Sequence, residues 1–598
     1  MAEEEKRKKA PVVRTIIRGV SLVYESGEMK ALLFNIGWIL TGAIASLSAL
    51  FNKNFLNAAA DVVLGKSGAV RLAVLWLLIW SAVEVGQRVL DMISARVSAN
   101  MTWNMDYYLS QKLFHKVSRI RLHYFDDREE QRRIRNVKGF SWKIWEVCQS
   151  AIQILRSCVM AITAIAVIAG ENWKIAILIC VTSMPAVLIG KRQTEEQYYM
   201  SQGHSFDEQM QRYMGLVITN RKYIKEMHFY QLYDYMSEKF DKTVISMMKQ
   251  KVKFAKKYLM AGLASDLVAY ATIAVSLLMI SVEIFYGRAG IGSFVLIYST
   301  AQTLQGTLKA LFASLDTIGD KGRYLEDYDV VMAFEEEAVD KGTDEEGGLE
   351  IVFEHVYFTY PGSEREVLTD INLTIHAKEK IAIVGENGSG KSTFIALLTG
   401  LYSPTKGRIL VNGKDISQML GFLREHISCT TQDYFQLHGS VEDNVLIGDS
   451  THAHDGGDVR EALRKAGLLD ALEKYEKKEK TNLGNLYKDS VDLSGGQWQK
   501  LAMARNLYKD GASLMILDEP TAALDPMAES KLYHDFSKLS SDKGVVLISH
   551  RLGATRLAER VLVFHEGKIA EDGTHEELLK ADGLYTQMYH AQAQRYVS

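Results

Sequence analysis

The sequence predicts a two-part chain: a membrane domain of six transmembrane α-helices, followed by an α/β P-loop domain. Three observations predict it. Apolar runs long enough to cross a bilayer recur as far as residue 316. From about residue 345 they give way to short β-branched runs parted by glycine turns, such as LEIVFEHVYFTY and KIAIVG. In that second half a glycine-rich loop, GENGSGKST at 385–393, stands between a buried strand and an apolar helix. At 598 residues the chain exceeds what one hydrophobic core usually serves. The expected division is a cytoplasmic N-terminal segment over 1–29, a six-helix transmembrane domain over 30–330 and a nucleotide-binding domain over 345–590.

Composition narrows the partners. Hydrophobic residues make up 47% and the formal net charge is −3, a balance that gives nucleic acid no electrostatic footing. Of six prolines only Pro185 lies between Pro11 and Pro361, which permits very long helices. Cys148, Cys158, Cys180 and Cys429 form no CxxC pattern and read as core residues. MAEEEKRKKAPVVR carries basic residues without a small-x-small cleavage site, so the first apolar run is expected to stay in the mature protein.

The six spans are expected near 31–58, 68–95, 148–170, 174–192, 257–286 and 291–316. GENWK (170–174) and YGRAGIGS (286–293) read as tight hairpins, whereas the connections 96–147 and 193–256 are long, charged and free of proline. Lys112, Lys116, Arg119, Arg121, Arg132, Arg133 and Arg135 crowd the first of these, placing the long connections on the cytoplasmic side. Spans two to five therefore run past the lipid, with tips at HYFDDREE (123–130) and KEMHFYQLYDY (225–235). Polar residues stand out in the spans: Asn52, Lys53, Asn54 and Asn57 end the first, and Glu84 and Arg88 lie four apart in the second, in the order that favours an ion pair. Two readings stay open, a pair stapling helices or a polar cavity wall that meets a charged cargo such as a peptide.

KIAIVGENGSGKSTFIALLTG fits G-x-x-x-x-G-K-[ST] through Gly385, Gly390, Lys391 and Ser392. Its glycines let backbone N–H groups surround phosphates at a helix N-terminus. Lys391 is expected to reach the β- and γ-phosphates and Ser392 to hold Mg²⁺, within a cradle that includes Asn387, Gly388, Ser389 and Thr393. SLMILDEP (513–520) is a buried strand ending in two carboxylates: Asp518 suits the Mg²⁺ site, and Glu519 suits polarisation of the attacking water. A second glycine turn, VDLSGGQWQK at 491–500, also opens a helix.

With these residues the chain resembles the ATP-binding cassette (ABC) family over essentially its whole length, LSGGQ (493–497) being that family's signature. The resemblance implies that two cassettes pack head to tail, so that ATP on the lysine loop of one is capped by Ser494, Gly495, Gly496 and Gln497 of the other. It further implies that Tyr360 in FTYPG stacks on adenine, that Gln432 in TTQDYF links the Mg²⁺ site to the membrane domain, and that Asp525 in AALD lies at the dimer seam. His550 in VVLISHR is implied to contact the γ-phosphate. Two departures are present: TNLGNLYKDS keeps Thr481 and Gly484 but lacks the usual acidic residue and second glycine, and AALD has alanine where many relatives have serine.

Six spans and one cassette resemble an exporter-type half-transporter, implying a dimer, a homodimer first and a heterodimer second, that hydrolyses ATP and exports a peptide or amphipathic small molecule by alternating access. The expected setting is a bacterial plasma membrane with the N-terminus and the cassette cytoplasmic. The roughly thirty residues before the first span leave no room for a leader-cleaving protease domain. The rivals are an exporter-fold uptake system, for instance for a metal chelate, and an ATP-gated channel or sensor.

Overall fold

The computed structural model describes residues 12–138, 141–203, 205–337, 348–449, 456–509, 511–520, 542–549, 555–556 and 558–597. The chain forms two compact units, Met1–Ser118 with Arg132–Ala333, and Arg119–Gln131 with Phe334–Ser598.

The first unit is helical: α1 (Val12–Glu25), α2 (Met29–Ile39), α3 (Thr41–Val63), α4 (Ala69–Val117), most of α5 (Arg128–Val137), α6 (Ser141–Glu171), α7 (Trp173–Gly203), α8 (Ser205–Thr219), α9 (Arg221–Phe229), α10 (Tyr233–Phe285) and α11 (Ile291–Ala333). Without interior proline, α4 runs for 49 residues and α10 for 53. At 1.5 Å per residue each is about 75–80 Å long, more than twice a hydrocarbon core of about 30 Å, so the sequence expectation of helices that outrun the lipid is met. The hairpin at 170–174 is tight, with Asn172 Oδ1 accepting from the Lys174 N–H at 3.0 Å.

Among the described residues five helical stretches are long and apolar enough to cross a membrane, where six spans were expected. The sixth expected span is the start of α11, whose apolar character is diluted by Ser293, Thr300 and Thr307; these are buried against neighbouring helices. A core of Ala164, Ile168, Ile175, Ile179, Ile273, Ile280, Leu296 and Leu304 joins α6, α7, α10 and α11. The N-terminal segment is not merely a tail. In α1 the Thr15, Gly19, Leu22 and Val23 face is buried, while Arg18 donates from Nε to Asp329 at 2.8 Å.

The second unit holds two sheets. One is antiparallel, ordered β2 (Glu366–Ile375), β1 (Ile351–Thr359), β4 (Lys406–Val411), β5 (Lys414–Asp415). The other has the order β10 (Lys568–Gly573), β9 (Arg560–His565), β3 (Lys380–Gly385), β8 (Gly544–Ile548), β7 (Leu514–Asp518), β6 (Ile427–Thr430), and is parallel except at β10. Phe353, Ile383, Phe394, Phe422, Ile516 and Phe564 bind both sheets and α12 (Lys391–Leu398) into one core. A separate core, around Val445, Leu463, Trp498 and Leu501, joins α14 (Val441–Leu446), α15 (Gly456–Lys465) and α17 (Gly495–Tyr508); α13 (Leu420–His426) and α16 (Leu469–Leu472) complete the series between. The inclusion of Arg119–Gln131 in this unit differs from a boundary drawn at residue 330. Ile120 bridges to Glu336, and the Tyr124 ring stacks on Phe334 at 4.0 Å and 7°.

Candidate active site

The glycine loop leaves the C-terminal end of β3, where ligands collect in open α/β sheets. Gly385 has φ 153°, and a Cβ there would lie 2.3 Å from the Phe564 carbonyl oxygen and 2.8 Å from Ser389 Oγ. Gly390 caps α12 at φ 105°, where a Cβ would meet Leu368 Cδ2 at 2.7 Å. Only glycine permits these close approaches, which is the physical content of the motif. Lys391 is buried and its ammonium donates to the carbonyls of Gly385 and Glu386, each at 2.8 Å. Burial lowers its pKa, opposed by the nearby Glu519 and Asp518. Buried Ser389 Oγ has no partner among the described residues, Ser392 is exposed at the mouth, and Thr393 Oγ1 meets the Tyr360 hydroxyl at 3.0 Å. An ammonium, an unmatched buried hydroxyl and free helix-start N–H groups fit a polyphosphate.

Strand β8 lies between β3 and β7, so Ile548 stands beside both Ile383 and Asp518 and the strand ends converge. Asp518 is buried, and burial, with Glu519 and Asp433 adding to it against Lys391, lifts its carboxyl to about 6. A carboxylate so placed is stabilised by a cation; with the Ser392 hydroxyl it offers hard oxygen donors of the kind a divalent cation takes. Glu519 adopts the left-handed region at φ 50°, unusual for a non-glycine residue. Its N–H donates to the Ile548 carbonyl at 3.0 Å and its carbonyl accepts from Gln499 Nε2 at 2.9 Å. Neither this conformation nor Gln499 was marked by any sequence motif; the buried amide two residues past LSGGQ was the available signal.

The LSGGQ turn belongs to the other core. Ser494 is the N-cap of α17, its Oγ accepting from the Gln497 N–H at 3.3 Å while Gln497 Oε1 accepts from the Ser494 N–H at 2.9 Å. This capping box holds Ser494 and Gly495 exposed at the helix start, where the first-turn N–H groups of Gly495 and Gly496 have no intrahelical acceptor. Gln432 is exposed beyond β6, next to Asp433. Arg505 of α17 fixes the following stretch by donating to the Phe435 carbonyl at 2.5 Å and to the Asn444 carbonyl at 2.6 Å. Asn387 and Gly388 lie exposed in the glycine loop. Asp525 and His550 lie outside the described residues, although the neighbouring Ser549 N–H reaches the Ile383 carbonyl at 3.3 Å.

The polar residues of the membrane half are arranged differently from expectation. Glu84 forms no ion pair with Arg88: the Ser48 hydroxyl donates to Glu84 at 2.6 Å and accepts from Trp80 Nε1 at 3.1 Å, because α3 packs on that face of α4. Arg88 is exposed. Lys53 pairs with Glu171, and Asn57 Oδ1 accepts from the Gly292 N–H at 2.8 Å, so these two hold helices together. Asn52 and Asn54 are half-buried beside them.

Comparison with known proteins places this geometry. Residues 368–522, from β2 through the carboxylate pair, match the model of the ABC transporter family. The subtilin transport ATP-binding protein SpaT of Bacillus subtilis is 30% identical over 556 residues, 92% of this chain and 89% of that protein. The chain is an ABC transporter. The nisin transport ATP-binding protein NisT of Lactococcus lactis is 25% identical over 89% of this chain and 90% of its own length, and an ATP-dependent lipid A-core flippase of Salmonella paratyphi A is 27% identical over 94% and 96%. The solved structure of a bacterial Atm1-family ABC exporter with ATP bound superposes with a TM-score of 0.79 at 20% identity, over 95% of this chain and 99% of that one, which gives the fold. This ABC transporter therefore has the exporter fold, is a multi-pass membrane protein and binds and hydrolyses ATP to drive transport.

Proposed function

We propose that this ABC transporter exports an amphipathic peptide from a bacterial cell as a homodimer, in the plasma membrane with the second unit cytoplasmic, and that it hydrolyses Mg²⁺-ATP at two composite sites. One observation carries the composite reading. The Lys391 loop and the Ser494 turn stand on different cores: Ser389 Oγ in the first has no partner among the described residues, and the second opens a helix whose first N–H groups have no intrahelical acceptor. Each turn thus suits a phosphate, and a head-to-tail pair brings Ser494 of the partner subunit to the nucleotide on Lys391. Peptide cargo is supported by relatives named for subtilin and nisin transport.

Bound Mg²⁺-ATP supplies the phosphoanhydride bond and the cation that offsets its charge. Lys391 would hold the β- and γ-phosphates, Ser392 and Asp518 would take the Mg²⁺ with Gln432 beside them, and Tyr360 would carry the adenine. Glu519, its backbone held by Gln499 and Ile548, would accept the proton of the attacking water, while His550 would contact the γ-phosphate and Asp525 would stand at the dimer seam beside it.

Inside-out membrane vesicles test the reading. With ATP, wild-type vesicles should accumulate a fluorescent amphipathic peptide, and Glu519→Gln vesicles should not. Accumulation in right-side-out vesicles instead would indicate uptake, and movement of a fluorescent phospholipid alone would indicate a lipid cargo.

A further inference from the structure

Within the second unit the segment Arg119–Gln131 makes two kinds of attachment. One ties it to the start of the following chain: Ile120 bridges Glu336, the Glu337 N–H donates to the Arg119 carbonyl at 2.8 Å, and Tyr124 lies flat on Phe334. The other reaches toward the nucleotide site. The Tyr402 hydroxyl, just beyond α12, donates to Asp126 Oδ2 at 2.5 Å. Tyr402 meets Tyr360 edge to face at 5.5 Å and 85°, and both rings stand against buried Phe358, at 5.4 Å and 4.9 Å. The far side of this cluster is pinned by Tyr360 on Thr393, in the first turn of α12.

The ring geometry makes the connection directional. Edge-to-face aromatic contacts fix tilt as well as distance, because the positive edge of one ring seeks the negative face of the other. A tyrosine whose hydroxyl is held by a carboxylate is fixed at its far end by a charge-assisted hydrogen bond. Releasing that hydroxyl frees the Tyr402 ring, and with it the tilt of Tyr360.

We propose that Asp126 and Tyr402 are positioning residues for the adenine platform Tyr360, so that docking of the first cytoplasmic tip sets affinity for the adenine part of ATP. This rests on the reading of Tyr360 as that platform. By linkage the effect is reciprocal: nucleotide with an adenine base strengthens the hold on the tip, and nucleotide without a base does not. The Tyr124–Phe334 and Ile120–Glu336 contacts keep the segment attached when the Asp126–Tyr402 bond is cut, so the bond can be tested in an assembled protein.

The test uses the full chain in lipid nanodiscs, with Mg²⁺-ATP and Mg²⁺-tripolyphosphate competing against a fluorescent ATP analogue. Tyr360→Ala should weaken ATP and leave tripolyphosphate unchanged, which checks the platform itself. Tyr402→Phe and Asp126→Ala should each weaken ATP about fivefold, leave tripolyphosphate within about twofold, and raise KM for ATP with kcat unchanged. The double variant should be no worse than either single one. In wild type, ATP should slow amide exchange over 122–126, and Tyr402→Phe should remove that slowing. If Tyr360→Ala loses ATP affinity while both other variants bind ATP as wild type, the positioning role falls and the platform stands. If Tyr360→Ala binds ATP normally, platform and relay both fall. Equal loss of both ligands in Tyr402→Phe and Asp126→Ala marks a merely structural contact and also overturns the proposal.

Discussion

Gln499 and Glu519 are joined by a hydrogen bond of 2.9 Å from the Gln499 side-chain amide to the Glu519 carbonyl, which ties the helix behind LSGGQ to the residue assigned as catalytic base. Gln499 is buried, and Glu519 sits in the left-handed region that non-glycine residues seldom adopt. Such a conformation costs roughly 1–3 kcal/mol and persists only where neighbours hold it. Here they are Gln499 on one side and the Ile548 carbonyl on the other.

Glu519→Gln should abolish steady-state hydrolysis and retain ATP binding, since Lys391 and Asp518 are untouched. Loss of a general base lowers turnover by about a hundredfold or more. Phosphate release in multiple turnover, alongside ATP binding by equilibrium filtration, checks this; more than about a tenth of wild-type turnover would reject the assignment.

Gln499→Leu keeps approximate volume and removes the donor. The half-buried Glu519 carbonyl loses the Gln499 donor, at about 1–3 kcal/mol. The expected result is a kcat lower by about tenfold with ATP affinity unchanged. An unaltered kcat would show that the left-handed turn holds without this bond.

The membrane half separates two roles. Ser48→Ala removes the hydroxyl shared by Glu84 and Trp80 and should lower thermal stability. Arg88→Gln, at an exposed position, should leave unstimulated ATPase activity intact and reduce its stimulation by cargo about threefold or more, consistent with the cost and functional bias of charges at membrane depth. If Arg88→Gln transports normally while Ser48→Ala impairs cargo stimulation in a stably folded protein, the roles are reversed.

Much of the fold was legible because its signals are local. A β-branched run entering a glycine loop and an apolar helix specifies β3, the cradle and α12 without reference to anything distant. Absence of proline made α4 and α10 readable as long helices. What escaped depends on partners far away in sequence. The i,i+4 rule favoured Glu84 with Arg88, but Ser48 on the packed neighbour α3 takes that carboxylate. The bridge from Ile120 to Glu336 and the bond from Asp126 to Tyr402 join residues more than two hundred positions apart, and no periodicity encodes them. The sixth span was counted from apolar residues, yet its polar ones are placed by burial against other helices.

The central claim is that each ATP is shared by the lysine loop of one chain and the LSGGQ turn of another. Lys391→Ala and Ser494→Arg chains, each carrying a different affinity tag, should be inert as homodimers. The purified mixed dimer has one site with both defects and one with neither. ATP hydrolysis by that mixed dimer is the direct measurement: turnover well above both inert parents is predicted, and a correctly paired mixed dimer as inert as its parents would show that LSGGQ serves the nucleotide of its own chain.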